Sequence, residues 1–298
     1  MKNNKICLVT GMHRSGTTIF GEIIKRIANA YMIYEPLNKN IGIKGIDYWY
    51  QYLDRDCPNH IDIINNLLEV DLEFKRVHEQ TDSLFRSITG MTIGYLDYIK
   101  FKYIGKMQSK NVVYKDPFML FNSSLFSSYT GCKVFVIVRH PVAIYNSLIR
   151  KNWDFDLNEL YNQQPLKEKF LDKINIDTSC KYQKIAFLWK QLYKLTMLNK
   201  SNNKIFVITH EELSVNPFNV IDRISSFLEM PINIRVERFV KKNFFSTNIE
   251  SRNNQIHDYK RNSRKLAWEW RKENKEEYRV IEEICKEELK FFYPEIYK

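Results

Sequence analysis

Five short apolar runs, at residues 6–10, 31–34, 111–114, 133–138 and 204–209, alternate with stretches whose apolar residues recur at helical spacing. Runs this short and this apolar suit strands buried on both faces, and such strands pair in parallel when helices connect them. The helical patterns fall at 18–30, 61–86, 141–151, 181–199 and 217–228. Strand and helix in turn predict an α/β fold: one central parallel sheet with helices on both faces. Segment 40–110 breaks the alternation. It is rich in Tyr, Phe and Trp and reads as a mostly helical insertion after the second strand, suited to covering a substrate.

With 298 residues, 44% hydrophobic and 27% charged, the chain can bury a large core, which excludes a disordered or fibrous protein. It shows no internal repeat and no Gly- or Pro-rich linker, so a single domain over 1–298 is expected. From Lys272 onward an amphipathic helix carries Val280, Ile281, Ile284 and Leu289, and packing against the sheet edge is expected for it. The longest apolar run, Val134 to Val138, is far short of the roughly 20 residues of a spanning helix. Neither a secretion signal nor a transmembrane segment is expected, which leaves room only for peripheral membrane contact. Five scattered cysteines without a Cys-x-x-Cys pair argue against disulfides and zinc and for a reducing cytoplasm. No His pair has metal-ligand spacing, so no metal is expected, and the histidines, His13 and His140 included, read as surface or supporting residues. The net charge of +11 points to a polyanion: nucleic acid, anionic lipid or a phosphorylated cofactor.

In an open parallel sheet, ligands sit beyond the carboxyl ends of the strands. The residues that follow each strand therefore share one rim: Gly11 to Thr18, Glu35-Pro36, Lys115-Asp116-Pro117, Arg139-His140-Pro141 and His210-Glu211. The first loop has the G-x-x-x-x-G spacing of a phosphate cradle at a helix N-terminus, and Arg14, Ser15, Gly16, Thr17 and Thr18 are its candidate anion ligands. A nucleoside triphosphatase loop would place Lys after the second glycine, where this chain has Thr17. Its cation is Arg14, inside the loop. The alternative is a plain strand-to-helix turn capped by Ser and Thr. A second anion site is predicted where Arg139 ends the fourth strand and Ser147 and Lys151 follow on the next helix; an arginine that merely fixes the loop is the alternative there.

Taken together, these motifs resemble those of sulfotransferases that use 3′-phosphoadenosine 5′-phosphosulfate (PAPS). Gly11 to Thr18 is similar to the family's 5′-phosphosulfate loop, and Arg139 with Ser147 eight residues on is similar to its 3′-phosphate motif. Lys115-Asp116-Pro117-Phe118 resembles a segment of protein-tyrosine sulfotransferases, and Glu35-Pro36-Leu37 resembles the Glu-Pro turn of carbohydrate sulfotransferases. His210 to Pro217 resembles the family's Tyr-Glu-Asp-Leu stretch, with His210 in place of the tyrosine. Ser246-Thr247, Trp268 and Trp270 resemble the segment that covers the cofactor. Segments 40–110 and 152–173 match nothing in the family.

The resemblance implies the P-loop-like sulfotransferase fold and transfer of a sulfuryl group from PAPS to a hydroxyl. It assigns Glu35 as general base and Arg14, Lys115 and Ser246 as stabilisers of developing charge. Arg14, Ser15, Gly16, Thr17, Thr18, Arg139, Ser147, Lys151 and Ser246 are implied to bind the cofactor. For Lys115 a plain salt bridge to Asp116 or Glu35 is the competing reading. Tyr48, Trp49, Tyr50 and Tyr52 would line an acceptor cleft or pack in the core. The expected acceptor is a carbohydrate or glycolipid hydroxyl, with tyrosine or a small phenol or alcohol as alternatives. A P-loop kinase or NTPase is the rival enzyme class, disfavoured by the missing lysine. A nucleic-acid-binding protein is the rival of another class, disfavoured because the basic residues are dispersed.

Overall fold

The computed structural model describes residues 6–75, 93–105, 111–130, 132–245, 264 and 267–297. Five strands, β1 (Ile6–Thr10), β2 (Tyr31–Tyr34), β3 (Val112–Lys115), β4 (Lys133–Val138) and β5 (Ile205–Thr209), form one parallel sheet in the order β2-β3-β1-β4-β5. Three strands match the sequence reading in both bounds, while β3 and β5 start one residue later. Asn111, just before β3, accepts from Tyr31 N at 3.1 Å, and its side-chain amide donates to the Ala28 carbonyl at 2.7 Å. Lys115 joins the strand because it pairs with both Val9 and Tyr34.

The helices are α1 (Thr17–Ile27), α2 (Pro58–Glu69), α3 (Ile93–Lys100), α4 (Ser123–Thr130), α5 (Pro141–Ile149), α6 (Asn158–Tyr161), α7 (Gln164–Phe170), α8 (Lys181–Leu198), α9 (His210–Val215), α10 (Pro217–Leu228), α11 (Ile234–Phe244), α12 (Glu276–Ile284) and α13 (Lys286–Phe292). A π-helical turn covers Phe101–Gly105, and 3₁₀ turns cover Pro117–Asn122 and Glu269–Lys272. Side-chain parity along the sheet separates two cores. Leu8, Tyr114, Val134 and Val136 face α5, α8 and the C-terminal helices, whereas Val9, Val113, Phe135 and Ile137 face α1, α10 and α11.

Segment 40–57 is turns and extended chain rather than helix. Polar side chains there take the backbone amides that a helix would use. Asn38 Oδ1 accepts from Asn40 N and Ile41 N, and Gln51 Oε1 accepts from Asp47 N and Tyr48 N. The helix expected over 61–86 starts at Pro58 and stops at Glu69, where Val70 turns left-handed at φ 56°; residues 76–86 lie outside the described residues. At the C-terminus one expected helix is two, broken at Cys285, and the pair packs on α8 and α5 instead of a sheet edge. Cys285 is buried with its thiol on the Ala186 carbonyl, so the break places it against α8.

Candidate active site

The rim begins in the loop after β1. Gly11 (φ 152°) leaves no room for a side chain, since a Cβ there would lie 2.3 Å from the Ile137 carbonyl oxygen. Gly16 caps α1 in the left-handed region (φ 96°), and a Cβ on it would meet the His210 ring at 2.8 Å. The loop is pinned from below: Met12 N donates to the Tyr193 hydroxyl, which donates to the Ile137 carbonyl, both at 2.9 Å. No side chain caps α1, and its first turn holds no acidic residue. Its N-terminal amides and positive dipole end therefore remain available to an anion.

Two consecutive residues of this loop reach two different groups. Arg14, itself left-handed at φ 68°, donates from Nε to Ser147 Oγ at 3.0 Å. Arg139 donates from Nη1 to the Arg14 carbonyl at 2.8 Å, and its Nε is buried without a partner. Burial lowers the pKa of both guanidinium groups, and the charge of Arg150 adds to that in each case. Arg150 and Lys151, at the end of α5, are both exposed; the charge of Arg150 acts on this cluster, and Lys151 donates its backbone N–H to Leu148. Buried N–H groups are normally satisfied, so the unpartnered Arg139 Nε beside Arg14 and Ser147 suits an anionic oxygen.

The backbone at Arg139 is held on both sides. Trp189 Nε1 donates to its carbonyl at 2.8 Å, and the next amide, His140 N, donates to Glu211 Oε1 at 3.2 Å. Glu211 is fully buried and accepts from the Tyr293 hydroxyl at 2.8 Å. Burial raises its pKa, and the charge of Arg139 opposes that rise. His140 is also fully buried. Its Nδ1 accepts from Val142 N at the start of α5, its Nε2 meets the Tyr297 hydroxyl at 2.8 Å, and its ring stacks on Trp270 at 3.6 Å. Burial and the charge of Arg271 hold its pKa well below the ordinary histidine value.

His13 faces the other way. Its Nδ1 lies 2.8 Å from the Tyr50 hydroxyl, and the rings of Phe118 (4.4 Å), Trp153 (5.6 Å) and Trp49 (6.4 Å) surround it. Burial lowers its pKa to about 4, so the ring is neutral at pH 7; Glu35 works against that shift, and Lys115 and Arg14 add to it. Neither His13 nor His140 is a surface residue.

Glu35 follows β2 in the left-handed region (φ 48°), with its amide on the Lys115 carbonyl at 2.9 Å. Its Oε1 pairs with Lys115 Nζ at 2.7 Å and its Oε2 accepts from Asn38 Nδ2 at 2.9 Å. The ion pair that competed with a catalytic reading of Lys115 is therefore present, with Glu35 rather than Asp116. Burial works to raise the Glu35 pKa, but the charge and hydrogen bond of Lys115 hold it below the usual carboxylate range. Next in the chain, Asp116 is buried and accepts from Leu37 N (2.6 Å) and Phe118 N (2.8 Å), so it ties the turn after Glu35 to the turn after β3. Burial, with repulsion from Glu35, pushes its pKa up to about 8.

Arg14, Ser147 and Arg139 thus form one group, and Glu35 and Lys115 form another. Ser15, Thr17 and Thr18 are buried in the loop and at the start of α1. Ser246 lies outside the described residues. Trp189, Tyr193, Tyr293 and Trp153 were not singled out as site residues from the sequence; the first two sit four residues apart on one helical face and look like core. Glu211 had a signal, its place directly after a strand end.

The sulfotransferase domain family matches residues 5–292. No curated protein matches the chain. Among solved structures, mouse sulfotransferase SULT7A1 complexed with PAP is 14% identical, with 97% of this chain and 85% of that chain covered and a TM-score of 0.45. The sulfotransferase domain from the curacin biosynthetic pathway is 14% identical over 95% and 97% of the two chains, with a TM-score of 0.48. Retinol dehydratase in complex with retinol and PAP is 15% identical over 97% and 82%, with a TM-score of 0.46. The family match runs from the first strand through the last helix and takes in both groups of rim residues, and by it this chain belongs to the sulfotransferase domain family.

Proposed function

We propose that the chain transfers a sulfuryl group from PAPS to a hydroxyl acceptor, with Glu35 as base, and that the acceptor is a carbohydrate or glycolipid. The observation that carries this is the rim itself: the arginine–serine cluster of Arg14, Ser147 and Arg139 and the part-buried Glu35–Lys115 ion pair follow strands of one parallel sheet, beside a phosphate-type loop. PAPS, when bound, supplies the activated sulfuryl group and leaves as adenosine 3′,5′-bisphosphate (PAP). Arg139 Nε and Ser147 fit its 3′-phosphate end, and Arg14 with the uncapped start of α1 fits its 5′ end. Glu35, kept ionised by Lys115, takes the proton of the acceptor hydroxyl. Lys115 donates toward charge that develops as the sulfuryl group moves.

The acceptor assignment draws support from the chain around residues 47–52. Trp49 and Trp153 lie half-buried beside His13, where an aromatic face suits a sugar ring. Tyr48, Gln51 and Tyr52 border a cavity of about 520 Å³ that Asn59, Asn162 and Gln164 also line, a mixture of rings and amides that matches a hydroxyl-rich ligand. A reducing cytoplasm fits five cysteines that form no disulfide. Among the described residues no helix is long and apolar enough to cross a membrane.

Incubation with radiolabelled PAPS and a panel of glycans, glycolipids, phenols and peptides tests the reading. Label on a glycan or glycolipid is the expected result. Label on peptides alone overturns the acceptor, and Mg²⁺-dependent ATP binding without PAP binding overturns the donor.

A further inference from the structure

Helix α11 buries Val236, Val240 and Phe244 against α1 and α10. At about 100° per residue, Ile234, Arg235, Arg238, Lys241, Lys242 and the following Phe245 fall within one stripe about 120° wide on the opposite side. All six are exposed. The stripe carries four cations and no carboxylate; the acid of this helix, Glu237, is half-buried on its flank. Among the described residues none of the four cations is in an ion pair.

Apolar surface gathers at the ends of the same stripe. Ile234 is 56% exposed and Phe245 44%, and Phe245 stacks at 5.8 Å on Phe218, itself 37% exposed. These are three of the nine large hydrophobic side chains that stand exposed among the described residues. A row of cations with no ion pair among the described residues, flanked by exposed aliphatic and aromatic groups, is the pattern of a helix that lies in a membrane interface, with its charges at the headgroups and its apolar groups among the acyl chains. A single nucleic-acid strand would answer the four charges and could stack on the Phe218–Phe245 pair, but it would leave Ile234, the most exposed of the three apolar groups, in water.

We propose that α11, with Phe218 and Phe245, is a docking face for an anionic lipid surface. This stands on the surface itself and does not depend on the identity of the sulfuryl donor or acceptor. If the acceptor is a glycolipid, the same face brings the enzyme to the surface that holds it.

The test is co-sedimentation of the full chain with phosphatidylcholine vesicles, with and without about 30% phosphatidylserine. Binding that requires phosphatidylserine and weakens as salt is raised is expected. Each basic residue near such a surface contributes about fivefold in affinity, so the double variant R238E/K242E should bind at least about 25-fold more weakly. Replacing Phe218 and Phe245 by Ser should also weaken binding and leave the salt dependence in place. Circular dichroism melting checks that both variants keep the fold. The proposal is overturned by equal binding to neutral and anionic vesicles, by no binding to either, or by an unchanged R238E/K242E. Tighter binding to a single-stranded oligonucleotide than to the anionic vesicles also overturns it and makes the partner a nucleic acid.

Discussion

At the scale of single residues, Glu35 combines an unfavourable backbone with a favourable charge environment. Its left-handed φ of 48° costs on the order of 1–3 kcal/mol for a non-glycine residue, and it is held by the hydrogen bond its backbone N–H donates to the Lys115 carbonyl and by its ion pair with Lys115 Nζ. Glu35→Gln should lower the transfer rate by about 10²–10⁴-fold and leave PAP affinity, measured by calorimetry, unchanged. A base must be unprotonated, and Lys115 holds this one below the usual carboxylate range, so activity should persist into acid and fall only as pH drops through that lowered pKa. In Lys115→Met the cation is gone, and the acid limb of the rate profile should move to higher pH. Asp116 titrates in the opposite sense. Its folded pKa of about 8 lies above an unfolded value of about 3.9, so the folded state holds the proton between the two. Its contribution is present at low pH and is lost as pH rises toward 8. Asp116→Asn should flatten that part of the melting-temperature profile. The rim positions of Arg139 and Glu35 were legible because each stands directly after a strand, and that of Arg14 because it lies inside the glycine-spaced loop that follows one. Asp116 stands there too, but nothing in the letters shows that its carboxylate would hold two backbone amides of different turns.

At the scale of elements, the C-terminal pair α12–α13 does more than cover the core. Tyr293, just past α13, donates to Glu211, and Glu211 accepts from the amide that follows Arg139. Tyr293→Phe removes a hydrogen bond of about 1 kcal/mol, so PAP affinity should drop about fivefold. Affinity for adenosine 5′-monophosphate, which lacks the phosphate assigned to Arg139, should change little. Equal losses for both nucleotides would show a general loosening of the pocket. Amphipathic spacing revealed one helix there, but neither its break at Cys285 nor its partner, since a stripe of apolar residues is the same whether it meets a sheet or α8. Segment 40–57 misled for a different reason. Its aromatic residues favour burial in any conformation, and the amides of Asn38 and Gln51 decided against helix by taking backbone donors.

At the scale of the whole molecule, the sheet separates two cores, and the phosphate-type loop stands where both meet the rim. Phe135 is fully buried on the α1 side among Phe20, Phe206 and Phe227. Phe135→Ala should cost about 3–5 kcal/mol in urea unfolding. All five strands of the parallel sheet were readable to within one residue from apolar runs, because its central strands, buried on both faces, leave few polar positions. The order of its strands was not, because β3 enters between β2 and β1 only after a long excursion.

One bond links these scales. Arg14 and Ser147 are 133 residues apart, and their contact ties the first loop to the flank of α5. Ser147 Oγ accepts from Arg14 Nε and keeps its own O–H to donate, so a phosphate that receives that hydrogen leaves the tie standing and braces the arginine fork. A fragment with that phosphate alone would stiffen the loop, and a fragment with the opposite end would meet it slack. The intact molecule would find the fork already braced, so its two ends should assist one another, and their combined affinity should exceed what either fragment foretells.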